Sequence, residues 1–264
     1  MSIPSTRLLG VRVDLVDLRQ TLQIIDRFIA TGKTHQIVVV NASKVVQAQK
    51  NSPLNDIIDG AALVGADGVP LIWVSKLFGT PIPGRVNGTD LMEKLVERAA
   101  KLSYKIYFLG ATEEVVRKVV RKYLTRYPDL KIAGYHNGYL NPEEEENIVI
   151  KISKSGADIL FVGFGTPQKE IFVKKHLHTM NVPVVHGVGG SFDVIAGVTK
   201  RAPLWMQRHG LEWFFRLIQE PKRMFKRYLI TNTIFVFLVI KAFIFSRVKN
   251  QKWPDSKLER ILKG

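Results

Sequence analysis

The sequence predicts a doubly wound, largely parallel α/β sheet followed by a C-terminal helical appendage. Three observations predict it. Short β-rich runs alternate with helical stretches through most of the chain. Glycine-rich turns stand directly after strands, where open sheets of this kind place their chemistry. From Pro203 onward strand signals stop and the chain reads as helical to its end, which sets a boundary near residue 198. The expected organisation is therefore a core over 1–198 and an appendage over 199–264.

In chain order, LLGVRVDL reads as a strand, and Asp17 caps the next helix with Gln20 three residues on, a capping-box spacing. QIVVV (36–40) is a buried-type strand that leads through Asn41 into a helix around Ser43–Gln49. AALVGA (61–66) is the next strand, and Pro70 starts a helix after it. Gly84–Asp90 forms a loop before a further helix. KIYFLG (105–110) ends in glycine, and Thr112 caps a helix lasting to about Tyr127. KIAGY follows, then Asn141-Pro142 opens another helix. DILFVGFG and VPVVHGVGG are the last two strands, with a helix between them.

The 264 residues suit one large domain, or one domain with an appendage. Hydrophobic residues make up 46% and mean hydropathy is +0.03, so a packed core is within reach. There is no cysteine, which excludes disulfides, thiolate metal sites and cysteine nucleophiles. MSIPSTRLLG has no apolar run long enough for a signal peptide, so export of the folded body is not expected. The net charge of +16 is unevenly spread. Residues 200–264 hold 15 Lys and Arg against 4 Asp and Glu, whereas residues 1–199 hold 24 against 19. Such a tail calls for a polyanion: nucleic acid, an anionic membrane or a phosphorylated substrate.

Inside that tail lies LITNTIFVFLVIKAFIF (229–245). Read alone it falls short of the roughly 20 apolar residues a spanning helix needs, and Thr231, Asn232, Thr233 and Lys241 interrupt it. Lys222, Arg223, Lys226 and Arg227 precede it; Arg247, Lys249, Lys252 and Trp253 follow. This profile suits a helix in the membrane interface with its cations on anionic headgroups. A helix packed on the protein body is the alternative.

Several residues are candidates for chemistry. Asp67 sits alone among small and apolar residues just before Pro70, at a strand end; it is a general base or a turn aspartate. Gly163-Phe164-Gly165-Thr166-Pro167-Gln168 carries the first two glycines of a dinucleotide fingerprint but has Gln168 where the third belongs, so it reads better as a phosphate-facing turn. Gly187-Val188-Gly189-Gly190-Ser191-Phe192-Asp193 is a second such turn; Asp193 either caps it or accepts hydrogen bonds from ligand hydroxyls. In the loop before the next helix, Arg85 either pairs with Asp90 or sits over a phosphate or sugar near Asp67. Asn41 holds an equivalent rim position. His176 and His178 are two apart, which gives no metal spacing, and Glu143–Glu146 sit in a first helical turn, where negative charge suits the helix dipole. No G-x-S-x-G, H-E-x-x-H or Walker A pattern occurs.

Together the segments VNASKVV, ADGVPL, GRVNGTDL, YFLG, HNGYL, GFGTPQKE, GVGGSFDVIAG and RAPLWMQRHGLEWFFRLIQEPKR resemble the WecG/TagA/CpsF family of glycosyltransferases over roughly residues 8–230. The resemblance implies a Rossmann-like core with a C-terminal helical appendage. It also implies transfer of a hexosamine-type sugar, such as N-acetylmannosamine or its uronic acid, from a UDP donor to a polyprenyl-diphosphate-linked saccharide. Such products enter teichoic acid, enterobacterial common antigen or exopolysaccharide. The implied reaction inverts the anomeric centre with no metal or other cofactor, at the cytoplasmic face of the membrane, with Asp67 as base. Asn41, Arg85, Asn87, Gly165, Gln168 and Asp193 are then expected to hold donor or acceptor, and Arg216, Arg223, Lys226 and Arg227 the diphosphate. Partners are the two substrates and an anionic membrane surface, with homo-oligomers open. The chain departs from the family pattern twice: Pro167-Gln168-Lys169-Glu170 replaces Pro-x-Gln-Glu, and Val39 stands where Thr is common. Both changes bear on the donor sugar. The rival readings are a nucleotide-dependent oxidoreductase using the glycine turns, disfavoured by the missing third glycine, and a nucleic-acid-binding protein using the tail, disfavoured by the apolar stretch within it.

Overall fold

The structure, a computed structural model, describes residues 3–50 and 52–248. The stretch expected to form one N-terminal strand is a hairpin: β1 (Ser5–Leu8) and β2 (Val11–Asp14) pair antiparallel. The two residues between them, Leu9 and Gly10, have φ of 51° and 81°, as the mirror-image turns of two-residue hairpins require. Leucine does not advertise such a turn. Its side chain is buried in the core beside Val38 and Val45, and that burial offsets the backbone strain.

Asp14 closes the hairpin from inside. Its fully buried carboxylate accepts the Val64 amide at 2.8 Å and pairs with Arg12 at 3.0 Å. Arg12 also donates to the carbonyls of Asp59 and Ala61, both at 2.9 Å. Burial raises the Asp14 pKa, against the Val64 amide and Arg12, which lower it. Arg12→Ala strips this carboxylate of its countercharge and is expected to destabilise the fold by roughly 3 kcal/mol, read as a lowered urea midpoint.

The capping box at Asp17 is present and opens α1 (Leu18–Thr31), which Gly32 ends with φ of 66°. The core then runs β3 (His35–Val40), α2 (Ala42–Lys50), α3 (Ser52–Asp59), β4 (Leu63–Ala66), α4 (Val69–Leu77), α5 (Gly88–Leu102), β5 (Lys105–Gly110), α6 (Glu113–Arg126), β6 (Lys131–His136), α7 (Pro142–Lys154), β7 (Ile159–Gly163), α8 (Gln168–Met180), β8 (Val184–Gly187) and α9 (Ser191–Ala196). Three further helices follow: α10 (Leu204–Arg208), α11 (Glu212–Gln219) and α12 (Pro221–Val248). Six strands form one parallel sheet in the order β4-β3-β8-β7-β5-β6.

Helices cover both faces, so the central strands are apolar along their length, as buried parallel strands must be. Ile37, Val39, Ile159 and Phe161 face α1, α5 and α6, whereas Val38, Val40, Leu160 and Val162 face the helices opposite. Direction reverses beside β3: the chain leaves it for β4 on one side, while β8 is its neighbour on the other. In open α/β sheets this reversal makes a crevice at the strand carboxyl ends.

α12 is longer than the apolar run expected from sequence. Met224–Phe245 spans 22 residues at mean hydropathy 2.0, long and apolar enough by length and composition to cross a membrane. One stripe, Met224, Thr231, Phe235, Leu238 and Ala242, is buried, and the helix packs on α2. The other stripe, including Phe225, Leu229, Phe237, Ile240 and Ile244, is exposed. One face therefore packs on the body, the alternative named above, and the other is apolar enough to be membrane-associating. Lys249, Lys252 and Trp253 lie outside the described residues, as does the side chain of Arg247.

Candidate active site

Asp67 follows β4 directly. Its amide donates to the Val40 carbonyl at 2.7 Å, so the β3 pairing extends one residue past the strand. Gly68, with φ of 116°, then swings the chain into α4, where Pro70 stands in the first turn. A residue with a β-carbon is strained at that φ. The turn leaves the Asp67 side chain on the rim of the sheet and half-buried. Burial is the main force raising its pKa to about 6; Arg85, Asn87 and Lys44 pull it down, and Glu212 pushes it up.

The loop before α5 is pinned to the same rim. Val86 donates to the Ala66 carbonyl at 2.7 Å, and Val86 packs so close to Gly65 that an added β-carbon there would stand 2.9 Å from it. Asn87 caps α5: its Oδ1 accepts the Thr89 and Asp90 amides, at 3.0 and 3.2 Å. That capping fixes the amide group, and its Nδ2 donates to Asp67 Oδ1 at 2.9 Å. Arg85 does pair with Asp90, at 3.5 Å, and more closely with Glu212 of α11, at 2.7 Å. Asn41 caps the start of α2 by accepting the Lys44 amide at 2.9 Å, and an added β-carbon on Gly68 would lie 3.9 Å from its Cβ. Asp67, Asn87, Arg85 and Asn41 thus gather at one end of the β4-β3 pair.

The two glycine turns occupy the ends of β7 and β8. Val188 donates to the Val162 carbonyl at 2.9 Å, which joins them. Since β4 and β8 flank β3, two strand spacings, about 10 Å, separate Asp67 from the second turn. Gln168 is exposed at the start of α8, while Lys169 turns inward. The Lys169 stem lies against Gly187, where an added β-carbon would stand 2.9 Å from it. Its Nζ hydrogen-bonds Thr166 and pairs with Glu170 Oε1 at 2.9 Å. Lys44, from α2, reaches the same oxygen at 2.8 Å and donates to the Val39 carbonyl at 2.7 Å. All three side chains are buried, so two ammonium groups share one carboxylate and a positive charge is left over beneath the turns. Burial, then the neighbouring charge of Lys44, lowers the Lys169 pKa to about 8; Glu170, against the upward push of burial, is held low by both lysines.

The appendage supplies the remaining cations. On α11 Arg216 lies over the second turn: an added β-carbon on Gly190 would stand 2.9 Å from its guanidinium, and its Nε is buried with no hydrogen-bond partner among the described residues. Asp193 flanks the same glycine, at 3.8 Å from that β-carbon position. Arg227 is close enough for its charge to help depress the Lys169 pKa. Lys226 is exposed and makes no ion pair among the described residues, and the Arg223 side chain lies outside them. Gly165 stands on the rim, an added β-carbon there lying 3.6 Å from Gln168 Oε1.

Lys44, Glu170 and Glu212 were not singled out by sequence, and Lys169 was noted only as a departure from the family pattern. Their partners lie 126 and 127 residues away, and no local pattern carries such a pairing. Of the acidic run Glu143–Glu146, Glu143, Glu144 and Glu145 do lie in the first turn of α7, which Asn141 caps. Among the described residues no group of three or more His, Asp or Glu is arranged to hold a metal ion.

The profile described as "Glycosyl transferase WecG/TagA/CpsF family" matches residues 6–249. Two curated relatives carry the name N-acetylglucosaminyldiphosphoundecaprenol N-acetyl-beta-D-mannosaminyltransferase. The one from Bacillus subtilis strain 168 is 37% identical over 188 residues, covering 71% of this chain and 72% of the relative. The one from Bacillus spizizenii strain W23 is 35% identical over 187 residues, with the same coverage.

Proposed function

The chain belongs to the WecG/TagA/CpsF family of glycosyltransferases, and from that premise we propose that it moves a hexosamine-type sugar, N-acetylmannosamine foremost, from a UDP donor onto a polyprenyl-diphosphate-linked N-acetylglucosamine. The names of the relatives support this donor sugar and acceptor. The observation that carries the mechanism is the Asp67 carboxylate: on the sheet rim, held by Asn87, with its pKa raised by burial to about 6.

In this mechanism the acceptor hydroxyl attacks the anomeric carbon of the donor from the face opposite the diphosphate. Asp67 takes the hydroxyl proton as the new carbon–oxygen bond forms. The bond from the anomeric carbon to the diphosphate oxygen breaks, and UDP departs with its electron pair. One displacement inverts the centre, in keeping with the beta linkage in the relatives' names. Negative charge grows on the departing diphosphate, and fixed cations are the effective way to meet it in a partly dehydrated site. Lys169, Arg216 and Arg227 fill that role, with the amides of the two glycine turns beside them, so the reaction runs without a metal ion. Asn41 and Gln168, on the rim, are assigned to sugar hydroxyls, and Asp193, beside the second glycine turn, to the nucleotide ribose.

A lipid-linked acceptor keeps the enzyme at a membrane. The exposed apolar stripe of α12, with Trp205, Trp213 and Phe214 on α10 and α11, rests in the interface of the cytoplasmic leaflet, and the flanking cations meet its anionic headgroups. Residues 199–264 act as an appendage that both binds the membrane and covers the diphosphate.

The test supplies purified protein with UDP-N-acetylmannosamine and a short-chain polyprenyl-diphosphate N-acetylglucosamine, with and without a chelator. One UDP and one β-linked disaccharide lipid per turnover, unchanged by the chelator, is the expected result. Transfer from no UDP-hexosamine overturns the proposal, and activity lost to the chelator overturns its metal-free step.

A further inference from the structure

Glu212 has no role in the steps above, yet it bonds directly to Arg85 of the site. It stands in the first turn of α11, and its Oε2 accepts from Arg85 Nη1 at 2.7 Å. Arg85 also reaches the Gln207 carbonyl of α10 at 3.4 Å and Asp90 of α5 at 3.5 Å. Asp90 is gripped from its other side by Arg201, which extends to Glu93 at 3.5 Å. The result is a chain of alternating charge, Glu212–Arg85–Asp90–Arg201–Glu93, running past Asp67. Facing the Asp67 carboxylate are Arg85 from the loop before α5, Glu212 from α11, Asn87 from the cap of α5 and Lys44 from α2. The Arg85 cation stabilises the ionised Asp67 carboxylate and lowers its pKa, while the Glu212 anion raises it. One turn along the same helix, Arg216 lies on Gly190. Residues four apart share a helix face, so the inner face of α11 bridges the ends of β4 and β8.

We propose that Glu212 is a positioning residue that ties the seating of α11 to the proton-accepting state of Asp67. With α11 seated, Glu212 draws off the charge of Arg85 and leaves Asp67 a competent base just as Arg216 arrives over the diphosphate turn. With α11 lifted, Arg85 is free to pair with Asp67, and the carboxylate is a poor base. The base is thereby strongest when the cover is in place, which favours transfer to the acceptor over transfer to water. This inference rests on the reading of Asp67 as the base.

Glu212→Gln keeps the size and an acceptor oxygen of the side chain but removes its charge. In that variant the acidic limb of kcat/KM moves about one pH unit lower. The plateau kcat falls about threefold, as a weaker base transfers the proton less readily, while KM for the UDP-sugar stays within about twofold. Glu212→Asp, which retains the charge, returns the limb to within about 0.3 units of wild type. A uniform loss of rate with the limb unmoved overturns the proposal and leaves Glu212 as a simple helix anchor. A limb displaced upward overturns it too. A wild-type profile with no acidic limb overturns the Asp67 reading and this proposal with it, so the two failures are told apart.

Discussion

Asp67→Asn lowers transfer by about a thousandfold while the protein folds and binds UDP as before. General-base catalysis by a positioned side chain contributes on the order of 10²–10⁴, and the amide keeps the shape of the carboxylate while losing its basicity. Local structure is expected to survive because the contact that positions Asp67 is its backbone amide on Val40, at 2.7 Å, which the substitution does not touch. UDP binding survives because the cations proposed for the diphosphate sit at the ends of β7 and β8, not on β4. The Asn87 contact changes character, since two amides then face each other where an amide faced a carboxylate; Asn87 is fixed by its cap, and the new amide at position 67 keeps the pair by turning its oxygen to Asn87 Nδ2. Turnover near wild type, with UDP binding retained, would remove Asp67 from the mechanism.

Glu170→Ala is the change with the largest expected cost to stability. The buried carboxylate holds two ammonium groups, Lys44 at 2.8 Å and Lys169 at 2.9 Å. Removing it leaves like charges facing each other in a poorly solvated place, and breaking a buried pair in this way costs about 3–5 kcal/mol. The pH dependence has a definite sign. Lys169 already titrates at about 8 in the folded protein, below its ordinary value of 10.5, so above that pH the unfolded chain binds more protons and stability rises with pH. Without Glu170 the Lys169 pKa falls further and this rise begins at lower pH. The destabilisation measured by urea unfolding is therefore expected to be large at pH 7 and smaller at pH 9. An effect below about 1 kcal/mol at both would mean that the buried charges are compensated elsewhere. The same surplus cation that makes the network costly is the charge proposed above to meet the diphosphate.

How far the sequence reveals such features depends on the range of the interaction. The strands β3, β5, β7 and β8 are legible because burial on both faces makes them continuous apolar runs. The caps at Asp17, Thr112 and Asn141 are legible because they are local contacts over three residues. Asp67 stands out because a lone carboxylate between a strand and a helix-starting proline has few structural reasons to be there. The hairpin turn escapes because Leu9 holds a conformation normally left to Gly, Asn or Asp. The Lys44–Glu170 and Arg85–Glu212 pairs escape for a different cause: each joins elements that only the crossovers of the sheet bring together. Sequence order likewise does not say that α12 folds back onto α2, which turns a largely apolar run into a helix with one packed face and one exposed face.

The pH dependence of kcat/KM between pH 5 and 9 reports most directly on the rim carboxylate, because neither diphosphate diester substrate titrates in that range. The expected profile has an acidic limb with its midpoint near 6, where burial sets Asp67, falling about tenfold per pH unit below it. A rate that stays level down to pH 5 would contradict a base at Asp67.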